Sequence, residues 1–262
     1  MLKIKEYVRA ESLEEAYQLY QKKSSVVLGG MLWLKLQSRP VGAAIDLSGL
    51  GLDTIEESDT EFRIGAMVSL RALETHPGLN AYTNGAMAAC VSPIIGVQFR
   101  NLATIGGSVA GKFGFSDPVT LLVALGAQVE LYHRGVLSLE EFLSLPTERD
   151  ILVRVILPKI AERTLYLCQR NTATDFPVLT CAISRRTDGL VCVLGSRPGK
   201  ALLFRDDTGL LSGGITEESA AAFAARLSEE AAFGTNQRGS ADYRKKLCLA
   251  LVRRGLLALK ED

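Results

Sequence analysis

Gln98-Phe99-Arg100-Asn101-Leu102-Ala103-Thr104-Ile105-Gly106-Gly107-Ser108-Val109-Ala110 is the stretch on which the reading of this 262-residue chain turns. An apolar, β-prone segment runs into paired glycines, and without Cβ atoms consecutive backbone N–H groups can converge closely on an anion. Thr104 and Ser108 bracket the pair and add hydroxyls able to donate hydrogen bonds. The same logic recurs earlier, where Val27-Leu28 leads into Gly29-Gly30-Met31-Leu32. A single Gly-Gly pair is more often a tight turn than a phosphate cradle, so each loop alone leaves both readings open.

Outward from these loops, the chain reads as alternating short helices and strands. Ser12 with Glu15 forms the pattern of a capping box, and Leu13, Ala16, Tyr17 and Tyr20 share a face, which predicts a helix over Leu13 to Gln21. Ser25 to Leu28 and Ala44 to Leu47 are β-rich, giving a β-α-β-like opening. A strand over Phe62 to Ala66, a helix capped by Ser69 and an apolar helix over Ala81 to Val91 follow. Pro118 to Leu125 suits a buried helix and Gln128 to Tyr132 a strand. Beyond Pro158, three β-prone stretches near Thr164 to Arg170, Val178 to Ser184 and Leu190 to Leu194 have no helix between them, which predicts an antiparallel sheet. Thr216 and Ser240 cap two final helices. The expected organisation is α+β, with residues 1–160 as one domain split near 55–60, a boundary near Pro158 to Arg163, and 161–262 as a smaller second domain.

Composition excludes several function classes. Thirty basic and 29 acidic residues leave a formal charge of +1, so no global field favours nucleic acid or an anionic membrane. No apolar run reaches the length of a spanning helix and the start lacks an apolar signal core, so a cytoplasmic protein is expected. Cys90, Cys168, Cys181, Cys192 and Cys248 are scattered, and His76 and His133 lie far apart, so neither a disulfide framework nor a metal or iron–sulphur site is expected. The cysteines read as small core residues and His76 as a loop residue. Any redox centre must then be an organic cofactor or belong to another chain. Arg238, Arg244, Lys245 and Lys246 read as a solvated face at a helix start. Trp33, the only tryptophan, reads as a packing residue rather than a ring-stacking one.

The central stretch, continuing to Ser116-Asp117 and Leu121-Leu122-Val123-Ala124-Leu125, resembles the R-N-x-A-T-I-G-G-N-I…S-D…L-L-A-L signature of the FAD-binding subunits of molybdenum hydroxylases, the xanthine dehydrogenase and carbon monoxide dehydrogenase type. Leu28 to Trp33 resembles that family's A-G-G-T-D-L loop, and Arg238-Gly239-Ser240-Ala241-Asp242-Tyr243-Arg244-Lys245-Lys246-Leu247 its R-G-S-A-x-Y-R-R-x-L segment. The resemblance implies a two-part FAD-binding domain of the PCMH type, followed by a C-terminal domain of antiparallel strands and helices. It further implies that Leu28, Gly29, Gly30, Met31 and Leu32, with Thr104, Ile105, Gly106, Gly107 and Ser108, hold the FAD pyrophosphate. Asp117, as an isolated residue equally readable as a helix cap, would bond the ribityl chain, and Arg100 and Asn101 would shape the second loop. Implied partners are a molybdopterin-binding large subunit, an iron–sulphur small subunit, and NAD or another electron acceptor. No acid–base residue is implied, because the hydride chemistry is the cofactor's own.

Three departures stand out. Met31 and Leu32 replace a polar pair, and Phe113-Gly114 replaces a Ser-Pro pair, offering Phe113 or Phe115 as a stacking ring. Counting back from Asp175, the family's lysine near the flavin falls on Leu167, which is otherwise a core residue of the antiparallel sheet; Arg170 substitutes only if the strand register differs. The altered loop admits a non-catalytic assembly subunit with a decayed FAD site, and the broad fold admits a free-standing flavin dehydrogenase.

Overall fold

A computed structural model describes residues 2–260. In chain order the elements are β1 (Lys3–Arg9), α1 (Leu13–Tyr20), β2 (Val26–Leu28), β3 (Pro40–Asp46), β4 (Ile55–Glu57), β5 (Glu61–Gly65), α2 (Leu70–Thr75), α3 (Pro77–Tyr82), α4 (Ala86–Val91), α5 (Val97–Leu102), α6 (Ile105–Ala110) and α7 (Asp117–Ala124). They continue with β6 (Gln128–Leu131), β7 (Gly135–Ser138), α8 (Leu139–Ser144), β8 (Leu152–Pro158), β9 (Ala161–Gln169), β10 (Leu179–Arg186), β11 (Gly189–Gly195), β12 (Leu202–Arg205), α9 (Glu217–Glu230) and α10 (Ala241–Lys260). The mixed helix-and-sheet class expected from the sequence is what forms.

The chain divides into two compact units whose segments interleave. The first takes the chain up to Leu73, Val97–Gly111 and Ala127–Pro158. The second takes Glu74–Gly96, Lys112–Gly126 and the chain from Lys159 onward.

The first unit carries two sheets. One is parallel, with β3 between β1 and β2. Its buried side chains Val26, Leu28, Val41 and Ala44 pack with Leu2, Met31 and Leu34, while Ile45 packs with Ala10, Ala16, Leu47, Leu52, Ile151 and Val153. The other is antiparallel, in the order β4-β5-β8-β6-β7, with Phe62, Ile64 and Val155 fully buried. The capping box at α1 is half made: Ser12 Oγ accepts the Glu15 N–H at 3.1 Å, but the Glu15 carboxylate turns to the Glu11 N–H at 2.8 Å. Strand β1 escapes a sequence reading because Lys3, Lys5, Glu6 and Arg9 face solvent in an edge strand with no buried alternate face.

In the second unit the four strands run β12-β11-β10-β9, all antiparallel, adding a fourth strand to the three expected. Alternation divides the sheet's two faces. Leu165, Leu167, Leu179, Cys181, Ile183, Cys192 and Leu194 pack with Phe223, Leu227, Cys248, Val252 and Leu256 of α9 and α10. The opposite face meets α4 and α7, with Thr120 of α7 bonded to Thr180 of β10 at 2.9 Å. Leu167 is therefore the core residue of the two readings. A Cβ on Gly255 of α10 would come within 3.0 Å of its Cδ1. The helix expected over Ala81 to Val91 is instead broken in two, because Asn84 and Gly85 take left-handed backbone angles (φ 53° and 78°) between α3 and α4. His76 is no idle loop residue: its Nδ1 accepts the Leu79 N–H at 3.1 Å and caps α3. Cys90, Cys181, Cys192 and Cys248 are buried and no disulfide forms.

The basic residues at the start of α10 require a correction. Arg244 is fully buried rather than solvated. Its guanidinium donates to the Val178 carbonyl at 2.9 Å, the Gly234 carbonyl and Asn236 Oδ1 at 2.7 Å, and the Gly239 carbonyl at 2.5 Å. Burial pulls its pKa below the ordinary arginine value, and four acceptors keep the buried cation bonded. The helical period of the charges suggested a face; the loop carbonyls folding back over the helix start were not visible in it.

Arg244→Met keeps the side-chain volume but removes the donor from the Val178 and Gly234 carbonyls and from Asn236 Oδ1, and leaves the Gly239 carbonyl only the Asn236 N–H. It is expected to cost about 3 kcal/mol, read as a melting temperature lowered by about 6–12 °C. Leu167→Lys places an ammonium in the apolar layer under α10 and is expected to cost about 3 kcal/mol or more. Leu167→Met at the same position should lose less than about 1.5 kcal/mol, and thermal melts of the pair test the core placement.

Candidate FAD site

In the first unit the two glycine loops meet. A Cβ on Gly29 would lie 2.7 Å from Thr104 Oγ1 and 3.8 Å from the Gly107 Cα, and one on Gly30 would collide with the Leu102 carbonyl. Gly106 is pressed as hard against the Ala66 carbonyl, at 2.5 Å from an added Cβ. Three of the four glycines thus serve the close approach of backbone to backbone or side chain. Gly107 differs: its added Cβ would touch only Thr104 Oγ1, at 3.2 Å.

The loops differ in what their amides do, and this revises the expectation for the second one. It is no strand-to-glycine turn. Thr104 caps α6, and the glycines sit in that helix's first turn. The N–H of Ile105 donates to the Val68 carbonyl and that of Gly106 to the Ala66 carbonyl, both at 2.9 Å. Gly107 N–H donates to Thr104 Oγ1 and Ser108 N–H to the Thr104 carbonyl, both at 3.1 Å. The amides of the first loop are unengaged: among the described residues, no acceptor takes the N–H of Gly29, Gly30, Met31 or Leu32. Met31 holds φ 59°, in the left-handed region from which anion-binding backbone concavities are built. The Met31 side chain packs with Val26, Leu28, Val41 and Ala44, so the apolar replacement anchors the loop while its amide stays available. This backbone suits an anionic group of the pyrophosphate kind. Arg100 behind the second loop is buried and Asn101 exposed, while Trp33 is 36% exposed.

Asp117 belongs to the second unit and heads α7, with Ser116 in the capping position. Its carboxylate is 4% exposed and Oδ1 accepts from both Tyr166 Oη and Arg170 at 2.5 Å. Burial raises its carboxyl pKa, against the opposing pull of Arg170 and Tyr166. Burial works against the Arg170 charge too, but the Asp117 carboxylate outweighs it and holds the guanidinium protonated. Tyr166 and Arg170 were not singled out together in the sequence, although residues two and four apart on one strand face the same way, which is the signal that groups Tyr166, Cys168 and Arg170 on the α7 side. Phe113 stacks on Phe115 with centroids 5.1 Å apart, and Phe115 meets Phe176 edge-on at 4.6 Å, so these rings already have partners in each other. Among the described residues, no group of His, Cys, Asp and Glu is placed to hold a metal ion, and no helix is long and apolar enough to cross a membrane.

Comparison with known proteins gives these arrangements a family. Residues 2–160 match the FAD binding domain in molybdopterin dehydrogenase. The uncharacterized protein YgfM of Escherichia coli K12 is 28% identical over 214 residues, covering 78% of each chain. The nicotine 6-hydroxylase medium subunit of Paenarthrobacter nicotinovorans is 26% identical over 275 residues, covering 96% of this chain and 95% of that one. Among solved structures, the carbon monoxide dehydrogenase from Hydrogenophaga pseudoflava lacking the Mo-pyranopterin moiety of its molybdenum cofactor superposes with a TM-score of 0.87 at 25% identity, covering 97% of this chain and 96% of that one. With the family match spanning more than half of its length, the chain belongs to the FAD-binding domain family of the molybdopterin dehydrogenases.

Proposed function

We propose that this chain is the flavin subunit of a cytoplasmic molybdenum hydroxylase of the xanthine dehydrogenase and carbon monoxide dehydrogenase type. It takes electrons from an iron–sulphur small subunit, itself fed by a molybdopterin-binding large subunit, and passes them through FAD to an acceptor such as NAD. One observation carries the reading: a glycine loop whose amides at Gly29, Gly30, Met31 and Leu32 have no acceptor among the described residues, braced against Thr104 and Gly107. The names of the relatives as a hydroxylase medium subunit and a carbon monoxide dehydrogenase support the multi-subunit setting.

In this reading, Leu28 to Leu32 hold the FAD pyrophosphate through backbone N–H groups, which bond an anion more strongly than a neutral acceptor. Thr104, Ile105, Gly106, Gly107 and Ser108 form the wall that keeps the loop in place, with the Thr104 and Ser108 hydroxyls beside it. Asp117 acts on the ribityl side through the cluster it holds with Tyr166 and Arg170. FAD supplies the electron and hydride chemistry when bound, so the chain's residues bind, orient and shield. We place residues 1–160 as the FAD-binding domain and 161–262 as the C-terminal domain. The available amides favour a working site over a decayed one.

Gly107→Val directs a branched side chain beside the first loop from a position where space is otherwise open. FAD retention after purification, read from the flavin absorption, is expected to fall at least tenfold with a melting temperature near that of the native chain; equal flavin content in the two would overturn the site. Gly30→Ala, by contrast, is expected to lose FAD and stability together, because its Cβ meets the Leu102 carbonyl. Affinity purification from the native host is expected to bring down a molybdopterin-binding chain and an iron–sulphur chain, and an active flavoprotein with no such companions would favour a free-standing dehydrogenase.

A further inference from the structure

The first glycine loop hangs from a short strand. Strand β2 has three residues and, among the described residues, pairs only with β3, setting Val26 against Ala44, Val27 against Ile45 and Leu28 against Asp46. So short a ladder opens easily unless the entry to the strand is held as well. Arg149, in the link between α8 and β8, holds it. Its Nε donates to the Tyr20 carbonyl at the end of α1, and one terminal nitrogen donates to the carbonyls of Lys22 and Ser25 at 2.6 and 2.8 Å. The guanidinium lies over the Tyr20 ring, 4.2 Å from its centroid, and Gln21 Nε2 returns a bond to the Arg149 carbonyl at 2.8 Å. Ser25 is the residue that enters β2, so a single cation fixes both ends of the turn from α1 into the strand, with charge-assisted bonds at the carbonyl end of the helix.

Arg149 is itself anchored to the frame that carries the second loop. The neighbouring Asp150 carboxylate accepts the N–H groups of His133, Arg134 and Ile151 at 3.0, 2.9 and 2.8 Å, which seats the link against the turn joining β6 to β7. Farther along, in β8, the Val153 carbonyl takes the Ala66 N–H, and the Ala66 carbonyl takes the Gly106 N–H, both at 2.9 Å. Strand β8 is thus the common reference for both glycine loops: through Ala66 for the start of α6, and through Arg149 for the entry of β2.

We propose that Arg149 is a positioning residue for the anion-binding loop, acting through β2 to hold the Gly29 to Leu32 amides in place for the pyrophosphate. The inference rests on the flavin reading above and deepens it by naming a residue that stands outside the loops themselves. Amides that must be ordered before they meet their anion give back part of what the bonds gain, so releasing the entry of β2 weakens binding while every ligand-facing atom is retained.

Arg149→Met keeps an unbranched apolar stem and removes the donors. Arg149→Lys keeps the cation on a head without the planar fork that spans three carbonyls. Leu139→Ala, in α8, destabilises the same unit from a fully buried position outside this clamp. FAD affinity is measured on the full chain by titration and ADP affinity by displacement of FAD, at a temperature where the variants are folded, with melting temperatures taken on the unliganded chains. Arg149→Met is expected to weaken FAD and ADP alike by about tenfold and Arg149→Lys by about threefold, while Leu139→Ala binds both as the native chain does despite a lower melting temperature. Arg149→Lys carries the same comparison where Arg149→Met does not fold. Native affinity in the Arg149 variants overturns the inference and leaves the flavin reading standing. So does a loss in Leu139→Ala as large as that in the Arg149 variants, which would tie affinity to stability alone, and so does weaker FAD with unchanged ADP, which would place the effect away from the pyrophosphate. A native chain that binds neither FAD nor ADP overturns both readings.

Discussion

The two glycine-bearing loops of the first unit lie together only because no side chain separates them. Gly30 rests against the Leu102 carbonyl and Gly29 against Thr104, while Gly106 seats the start of α6 on the Ala66 carbonyl. That packing fixes the first loop from behind, and a loop held from behind can present bare N–H groups without collapsing onto them. The parallel sheet contributes the other constraint: Val26 and Leu28 of β2 are buried beside Met31, so the loop leaves a fixed strand end and returns its side chain to the same core. Anion recognition by backbone depends on such preorganisation, since an amide that rearranges to meet its ligand gives back much of what the bond gains.

Much of this was legible in the sequence, and the parts that were not have identifiable reasons. The cap at Thr216 and the strands β9 to β11 follow from local chemistry and alternation and form as read, and Ser12 caps α1 with the Glu15 half of its box turned to Glu11. Local chemistry also locates the glycine loops. It cannot say which of their amides are already committed, because Val68 and Ala66, the acceptors for Ile105 and Gly106, lie some forty residues earlier in the chain. The same limitation explains Arg244: a cation at the start of an amphipathic helix reads as solvated until the segments around Val178, Gly234 and Gly239 fold over it. Asp117 read as a choice between cap and ligand contact, and its bonded partners, Tyr166 and Arg170, arrive about fifty residues later.

The departures from the family pattern acquire physical content once their surroundings are known. Met31 exchanges a polar side chain for packing while its amide has no acceptor among the described residues, so the loop keeps the part of its chemistry that does not depend on side-chain identity. Phe113, which with Gly114 replaces the family's Ser-Pro pair, stacks on Phe115, and Phe115 joins Phe176 and Arg238 into one aromatic group. Leu167 faces α10 and Arg170 faces α7, a difference of strand parity that moves the cation to the opposite side of the sheet.

The order of strands in the antiparallel sheet of the first unit bears on how the protein is made. Its middle strand, β8, is the last of the five in the chain, and β5 and β6 have no partner on their inner sides until Leu152–Pro158 arrives. On the ribosome, the nascent first unit must therefore wait with two unpaired strand edges exposed while nearly a hundred residues after β5 are synthesised. Those edges are where a chaperone would act, and where truncation before Pro158 would leave an aggregation-prone fragment instead of a smaller folded domain.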